Sequence, residues 1–101
     1  MSYRIVNTYT KTTESPANAF TAFPLLAPDE NVTQEQITAF KNAHPIQYES
    51  RVVQDQFIIN YTYNSEADYT AISNNSIVVA LIEKRRAWLE LNKLTFESRV
   101  L

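Results

Sequence analysis

Residues 57–68 read FIINYTYNSEAD and join a strand to the start of a helix. Between Phe57 and Tyr63 every second side chain is aromatic or apolar and the intervening set is mixed, which is the period of two that predicts a β-strand. Ser65 follows as a helix N-cap, and Asp68, three residues later, is an acid in the first helical turn. The stretch therefore predicts a strand that leads directly into a helix.

The rest of the chain extends this pair to the order β-α-β-β-α-β. Strands are predicted over residues 3–11, 46–53, 56–63 and 94–101. Helices are predicted over residues 33–43 and, after the start at Ser65 and a break at residues 73–76, over residues 77–91. That order is the split β-α-β pattern of ferredoxin-like domains. We therefore predict an α+β fold in which two helices cover one face of a four-stranded antiparallel sheet.

Local signals mark the ends of these elements. Thr33 and Gln36 form a capping box at the start of the first helix. The chain contains no glycine, so every residue at positive φ must be of another type. We expect Asp55 to take that conformation in the hairpin turn and Asn92 to take it after the last helix. Ser76 is expected to cap the N-terminus of that helix.

The composition bounds the function. The chain has 101 residues, which predicts one domain over residues 1–101. Its net charge is −2, and it has no cysteine. Without cysteine and glycine, a thiolate nucleophile, a zinc–thiolate site, a P-loop and a dinucleotide-binding fingerprint are excluded.

The weak negative charge gives no reason to expect nucleic acid as a partner, and the third strand lacks the basic, glycine-containing motif of an RNA-recognition domain.

The sequence also gives no sign of a membrane or metal partner. Its first residues lack the apolar run of a signal peptide, and the longest apolar stretch, Ile77 to Ile82, is too short to span a bilayer. No spacing of histidine and acidic residues is typical of a metal site. We therefore expect no membrane, no metal and no cofactor, and a cytoplasmic location.

Residues 12–31 form an irregular segment. Pro16, Pro24 and Pro28 punctuate it, and a connection of this length without regular structure is usually functional or mobile. It nevertheless carries apolar side chains between Phe20 and Leu26. We expect it to pack against something, either its own domain or a partner.

From residue 46 onward the sequence resembles a known superfamily. The strand at 57–63 is followed by the helix start Ser65-Glu66-Ala67, then by a break, and then by the apolar run at 77–81. In these features the chain is similar to the dimeric α+β-barrel (ferredoxin-like) superfamily, which includes antibiotic-biosynthesis-monooxygenase-like proteins. The resemblance implies a homodimer formed by packing sheet on sheet. In general style the chain also resembles small phage-encoded proteins.

The strand at 56–63 independently predicts self-association. Its second face, made by Ile58, Asn60 and Thr62, is less polar than that of a sheet with one solvated face. An uncovered sheet face with apolar and aromatic side chains would expose a patch of the kind that marks interfaces. We expect a homodimer or a higher homo-oligomer, and we find no internal repeat in the chain.

His44 is the one histidine, and hence the one side chain whose ordinary pKa lies near neutrality. Members of the resembled superfamily that act without cofactors often use a single histidine or a polar pair, which implies a catalytic role for His44. Alternatively, His44 only ends the helix before Pro45, with its ring facing water.

Four aromatic residues, Tyr48, Tyr61, Tyr63 and Trp88, could line an apolar pocket for a flat aromatic ligand. Alternatively they form ordinary core and interface packing, with the phenol oxygens reaching solvent. Arg85 and its neighbour in sequence are compatible with binding a carboxylate or with supporting the helix end.

Three functions remain open. The first is a non-catalytic, self-associating interaction or structural module, which fits the absence of a convergent reactive set. The second is a small cofactor-independent enzyme, similar to a monooxygenase or an isomerase, or a binder of small apolar ligands. That function requires an enclosed cavity of at least ~300 Å³ near His44. The third is a viral or accessory protein in which residues 12–31 reach onto a neighbouring subunit.

Overall fold

The predicted order of strands and helices is confirmed by a computed structural model, which describes residues 2–101. The strands are β1 (Tyr3–Thr10), β2 (Gln47–Val53), β3 (Gln56–Tyr63) and β4 (Thr95–Val100), and the helices are α1 (Gln34–Ala43), α2 (Glu66–Ser73) and α3 (Ser76–Leu91). A short 3₁₀ turn at Ala19–Ala22 lies between β1 and α1. The second helical region is thus divided into α2 and α3.

The four strands form one antiparallel sheet in the order β2-β3-β1-β4. β1 and β3 occupy its centre, and β2 and β4 are its two edges. The α+β, ferredoxin-like fold predicted from the sequence is therefore confirmed.

The core lies between the sheet and the helices. Alternate side chains of the central strands are buried on that side, including Ile5 and Tyr9 of β1 and Ile59 and Tyr63 of β3. The period of two read from the sequence thus selects the covered face. Every aromatic side chain of β3 lies on this covered side. The prediction of self-association assumed aromatic side chains on the uncovered face of the sheet, and for β3 that assumption was wrong.

The helix starts follow the sequence signals in part. The capping box of α1 is confirmed, because the Thr33 hydroxyl accepts from the Gln36 amide at 3.1 Å and the Gln36 side chain accepts from the Thr33 amide at 2.8 Å. The expectation that Ser76 caps α3 was wrong. Asn75 does so instead, since its Oδ1 accepts from the amide of Ile77 at 2.9 Å.

The two positive-φ residues differ from those expected. Gln54 has φ of 54° and Lys93 has φ of 55°. In the two-residue hairpin turn the left-handed residue is the first, which is the pattern of a type II′ turn, so Asp55 is not used. Asn92 has φ of −96°, and its side chain instead donates to the carbonyl of Trp88 at 2.9 Å.

The apolar side chains of α3 are not covered along the whole helix. Trp88 is only 5% exposed, but Leu91, which the helical period places near the same face, is 81% exposed. The helix extends beyond the part of the core that could cover its last turn.

Residues 12–31 pack on their own domain. At one end, the Thr12 hydroxyl donates to the carbonyl of Lys93 at 2.7 Å. In the middle, the indole of Trp88 donates to the carbonyl of Ala19 at 3.0 Å, and Ala19 is 1% exposed. At the other end, Lys84 forms a salt bridge with Asp29. Side-chain donors from α3 therefore bind the middle and the C-terminal end of this segment.

Candidate functional site

One face of the sheet faces away from the core. The described helices and residues 12–31 pack on the opposite side, and we call the uncovered surface the open face. Its centre consists of two rows of side chains that run across all four strands. In the order β2-β3-β1-β4 these rows are Glu49–Asn60–Val6–Arg99 and Arg51–Ile58–Thr8–Glu97.

The two rows are related by an approximate two-fold axis normal to the sheet. When one row is rotated onto the other, each residue meets one of the same chemical type. The matched pairs are Glu49 with Glu97, Arg99 with Arg51, Val6 with Ile58, and Asn60 with Thr8. The open face therefore has an apolar diagonal at its centre and four charges at its corners.

The corner charges have no hydrogen-bond or salt-bridge partner among residues 2–101. Glu49, Arg51, Glu97 and Arg99 are all exposed, and the one salt bridge within residues 2–101 lies elsewhere, on the helix side. Acids occupy one diagonal of the rectangle and arginines the other. This arrangement is an electrostatic quadrupole, whose charges could all be paired by a surface with the same pattern.

The β2 side of the open face is concave. An open concavity of about 790 Å³ lies over it. It is lined by Arg4, Gln47, Tyr48, Glu49, Ser50, Arg51, Asn60 and Thr62. Most of these side chains are polar, so the concavity does not fit the apolar ligand considered from the sequence.

The two edge strands carry nearly the same hexapeptide. Residues 48–53 read YESRVV and residues 96–101 read FESRVL. The statement that the chain has no internal repeat was therefore wrong at this scale. In both copies the Glu and Arg point to the open face, whereas the aromatic residue, the serine and the first valine point to the helix side.

The helix side of the sheet holds a continuous array of aromatic rings. Tyr9 packs edge-on against Trp88 with ring centroids 5.2 Å apart, and Phe23 from the irregular segment lies 5.2 Å from the same indole. Arg85 of α3 crosses this array, with its guanidinium 4.4 Å from the Phe23 ring centroid. Arg85 also donates to the carbonyl of Pro24 at 3.0 Å, so its charge is partly engaged in holding the segment.

Two phenols in this array have perturbed acidity. Burial raises the pKa of Tyr9 to about 12, although the nearby Arg85 acts to lower it. Burial likewise raises the pKa of Tyr63, and the neighbouring Tyr61 and Tyr69 raise it further. Both groups are therefore neutral donors at physiological pH and are not poised as general bases.

One polar atom on the helix side lacks a hydrogen bond. The side-chain oxygen of Asn7 is buried and has no partner among residues 2–101. Asn7 lies on β1 between Ile5 and Tyr9, opposite Ile59 and Ser98 of the neighbouring strands. An unpaired buried acceptor costs about 1–3 kcal/mol, so it marks a polar point in an otherwise apolar surface.

The four aromatic residues considered as pocket lining all lie on the helix side of the sheet, and their role in binding a ligand stays a prediction. Tyr48 and Tyr61 lie 6.2 Å apart, and Tyr61 and Tyr63 lie 6.1 Å apart, as ring centroids in a row on the helix side. Tyr48 is 65% exposed. Trp88 belongs to a cluster with Tyr9 and Ile59, against which Tyr61 also packs, and the phenol of Tyr61 accepts from Arg85 at 3.3 Å.

His44 lies at the C-terminal end of α1. Its backbone amide donates to the carbonyl of Phe40 at 2.9 Å, and its ring centroid is 5.2 Å from that of Phe40. It does not line the concavity on the open face, nor a second one of about 550 Å³ beside Lys11 and Asp55. A catalytic role for His44 stays a prediction.

Sequence reasoning missed the residues that define the open face. The signal was present as the repeated Glu-Ser-Arg triplet at 49–51 and 97–99, but its importance depends on both copies lying on edge strands. Within residues 2–101 no group of histidine and acidic side chains could hold a metal ion. The helices of the same range include none with the length and apolar character needed to cross a bilayer.

With this geometry established, comparison with known proteins places the fold. No family model and no curated protein matches the sequence. Solved structures do match, at the level of fold. One is SnoaB from Streptomyces nogalater, a cofactor-independent oxygenase, with a TM-score of 0.61 and 12% identity over 99% of this chain and 90% of that one.

Two further structures agree with this placement. A dimeric ferredoxin-like protein from an uncultured marine organism has a TM-score of 0.54 and 14% identity, covering 99% of this chain and 86% of that one. A conserved protein from Bacteroides thetaiotaomicron, described as a possible oxidoreductase, has a TM-score of 0.52 and 14% identity, covering 99% and 97%. The resemblance to ferredoxin-like folds of this superfamily, inferred from the sequence, is therefore confirmed at the level of fold.

Proposed function

We propose that this chain is a self-associating module in which two copies pack open face against open face. The arrangement of the corner charges carries the proposal. A two-fold axis in the plane between the sheets and parallel to the strands sets Glu49 opposite Arg99 of the second copy. The same axis sets Arg51 opposite Glu97 of the second copy. Every corner charge then meets its opposite.

The centre of the open face supports the same arrangement. Val6 and Ile58 are half-buried in the single subunit, and a second sheet would cover them. Sheets that pack face to face lie about 10 Å apart, so the side chains of both contribute to one layer. An apolar centre with a charged border is also the usual anatomy of a protein interface.

The charges also favour one packing angle. With an axis along the strands the two sheets lie nearly aligned, whereas a diagonal axis, at 45° to the strands, makes the strands cross at about 90°. A diagonal axis would bring acid towards acid and arginine towards arginine. The proposed dimer is therefore of the aligned type. A solved structure of similar fold is described as a dimeric ferredoxin-like protein, which supports self-association.

Charge reversal tests this dimer. The double variant Arg51→Glu, Arg99→Glu has four acidic corners, and the double variant Glu49→Arg, Glu97→Arg has four basic ones. We expect the wild-type chain to sediment as a dimer at micromolar concentration and each double variant alone to sediment as a monomer. An equimolar mixture of the two variants should restore the dimer, because the corners are again complementary.

A matched control reverses two exposed charges on the helix side. Lys41→Glu, Arg86→Glu changes the net charge as much as the acidic variant does, and we expect it to remain dimeric. Circular dichroism should show all variants folded. A wild-type monomer at 100 µM, or a mixture that stays monomeric, would contradict the proposal.

A second function is favoured by a different observation, the unpaired oxygen of Asn7 on the helix side of the sheet. Under this alternative, the amide would orient a flat ligand beside Trp88, as in a small cofactor-independent enzyme or a binder of apolar ligands. The fold similarity to a cofactor-independent oxygenase is compatible with it. Phe20 and Phe23 occupy part of this space, at 5.6 and 5.0 Å from the ring of Phe57.

The fluorescence of Trp88, the one tryptophan of the chain, tests the alternative. A ligand bound on the helix side, such as 1-anilinonaphthalene-8-sulfonate as a probe, should quench the indole with a saturable curve. The variant Asn7→Leu should then weaken the binding at least tenfold. If the probe leaves the emission of the folded protein unchanged, this function loses its support.

A further inference from the structure

One arginine on the open face lies outside the pattern of corner charges. Arg4 of β1 precedes Val6 on that face, and its row continues to Thr62 of β3 and Gln47 of β2. Arg4 is exposed and has no salt-bridge partner among residues 2–101. Neither of its neighbours in the row is acidic, so its charge is not neutralised there.

The approximate two-fold symmetry of the open face fails at this residue. Rotation about the normal to the sheet places Thr62 on Thr10, which are identical side chains, but it places Arg4 on Gln56. The end of the open face that holds Arg4 is therefore positively charged. The row at the opposite end, formed by Val53, Gln56, Thr10 and Thr95, has no charged side chain.

The proposed dimer brings its two copies of Arg4 together. Its two-fold axis runs along the strands, between β1 and β3, so it leaves the height of each residue along the strands unchanged. It sets β1 of one copy over β3 of the second. The two Arg4 Cα atoms are then about 11 Å apart, which combines one strand spacing with one spacing between packed sheets. Both side chains enter the layer between the sheets, so their guanidinium groups share one space.

This juxtaposition is unfavourable unless an anion accompanies it. Like charges repel, and the repulsion grows where a second sheet excludes water. The two glutamates of the open face are already paired with corner arginines of the second copy in the proposed dimer. Three arginines and two glutamates lie on the open face, so its net charge is +1, whereas that of the whole chain is −2.

The surroundings of Arg4 offer space and further donors. Arg4, Gln47 and Thr62 all line the open concavity of about 790 Å³ on the β2 side. In the proposed dimer, Thr62 of the second copy lies directly across from Arg4, and Gln47 of the second copy lies one strand further along. Hydroxyl and amide groups can donate hydrogen bonds to anionic oxygens, as guanidinium groups do.

We infer that the dimer binds one doubly charged oxyanion, a phosphate group, between its two Arg4 side chains. This inference rests on the proposed function and adds a ligand to that dimer. Each guanidinium group can hold a phosphate by two parallel hydrogen bonds, and the two positive charges match those of a dianion. Each chain contributes half of the site, so the site is complete only in the dimer.

The dissociation constant of the dimer measures this binding. It is determined by sedimentation over a dilution series, at pH 8 and equal ionic strength, in chloride, in inorganic phosphate and in glycerol phosphate. An anion that binds only the dimer lowers this constant, by about tenfold at ten times the dissociation constant of the site itself. An effect of inorganic phosphate alone identifies the free ion as the ligand, and an effect of both identifies the phosphate group of a larger molecule.

The concentration dependence gives the stoichiometry. Once the site is nearly saturated, one anion per dimer lowers the dissociation constant in proportion to the anion concentration, whereas one anion per chain lowers it with the square of that concentration. We expect simple proportionality. A quadratic dependence would place a separate site on each chain and overturn the shared site.

Substitutions of Arg4 locate the site. Arg4→Gln should abolish the response to phosphate. In chloride the same variant should dimerise about threefold more tightly, because a repulsion between unit charges about 6 Å apart is removed. Arg4→Lys keeps the charge without the parallel hydrogen bonds and should retain part of the response.

Arg86→Gln is the matched control, since it removes one exposed arginine on the helix side. It should respond to phosphate as the wild type does. If Arg4→Gln also responds like the wild type, the anion binds elsewhere and the inference is wrong. A weaker dimer of Arg4→Gln in chloride would show that Arg4 has a protein partner, which also contradicts the inference.

The wild-type measurements separate this inference from the proposed function. A dimer that responds to neither phosphate probe overturns the anion site and leaves the face-to-face dimer standing. A chain that stays monomeric in all three solutions contradicts the proposed function, and the anion site fails with it.

Discussion

At the scale of single residues, the core is defined by phenol and indole groups that are buried with few polar partners. Tyr9 is 3% exposed and Tyr63 is 9% exposed. Their rings belong to the two core clusters, and their hydroxyl groups remain neutral because burial disfavours the phenolate. The molecule is therefore sensitive to alkali at these positions.

We predict that stability falls as the pH rises above 10. The pKa of Tyr9 is raised from 10.0 to about 12 in the folded state, so between those values the unfolded chain loses a proton that the folded chain keeps. The free energy of unfolding then decreases by about 1.4 kcal/mol per pH unit for this residue. Urea denaturation at pH 9 and pH 11 measures the loss. Tyr9→Phe should show a smaller loss over the same interval, and an equal loss would assign the effect to other groups.

The residues at positive φ show what single-residue propensities miss. Gln54 and Lys93 take the left-handed conformation, next to Asp55 and Asn92, for which propensity predicts it. The hairpin register and the side-chain hydrogen bond of Asn92 fix these positions. Propensity differences of about a kcal/mol are smaller than the combined effect of these longer-range interactions.

At the scale of elements, α1 depends on its first turn. Both hydrogen bonds of the capping box are present, and the helix has only ten residues. A helix of that length is marginal by itself, so the satisfaction of its free amides contributes substantially.

Thr33→Ala should lower the free energy of unfolding by about 1 kcal/mol, because it removes the acceptor for the Gln36 amide. Chemical denaturation followed by circular dichroism measures this. Thr33→Ser keeps the hydroxyl and should lie within about 0.5 kcal/mol of the wild type. An equal loss in both variants would mean that the side chain acts through its methyl group.

The irregular segment is a second element whose role depends on contacts. Phe23 packs against Tyr9, Phe57 and Trp88, so Phe23→Ala should lower the free energy of unfolding by about 2–4 kcal/mol. Leu25, two residues away, is 69% exposed, and Leu25→Ala should change it by less than about 0.5 kcal/mol. Thermal or urea unfolding of both variants checks the contrast. Similar effects would show that the segment is not held by Phe23.

At the scale of the whole molecule, a thin sheet with one covered face defines both the fold and the proposed partner. The subunit measures 40 × 36 × 18 Å. Its shortest dimension corresponds to one sheet and one layer of helices. A second copy on the open face would cover the other side of the sheet, including the half-buried side chains of Val6 and Ile58 at its centre.

If folding and dimerisation are coupled, the unfolding midpoint must depend on concentration. A tenfold rise in protein concentration adds about 1.4 kcal/mol per dimer. For two chains of this length that corresponds to a rise of about 3 °C in Tm. Scanning calorimetry from 5 to 500 µM measures the rise. The doubly acidic variant Arg51→Glu, Arg99→Glu should show none, and a wild-type Tm independent of concentration would indicate a stable monomer.

The sequence by itself determined the order of strands and helices and the face of β3 that is covered. Both depend on interactions between near neighbours, such as the alternation over residues 57–63 and the capping box at Thr33. Such interactions act over a few residues and are visible in a single sequence.

Only the tertiary structure decided where residues 12–31 lie and what the repeated hexapeptides mean. Arg85 and Trp88 are more than sixty residues from the carbonyls of Pro24 and Ala19 that they bind. Likewise, Glu49 and Arg99 become the two ends of one row on the open face only because β2 and β4 are the two edges of the sheet. Strand order is a long-range property, and charge patterns that depend on it gain their meaning only after the chain has folded.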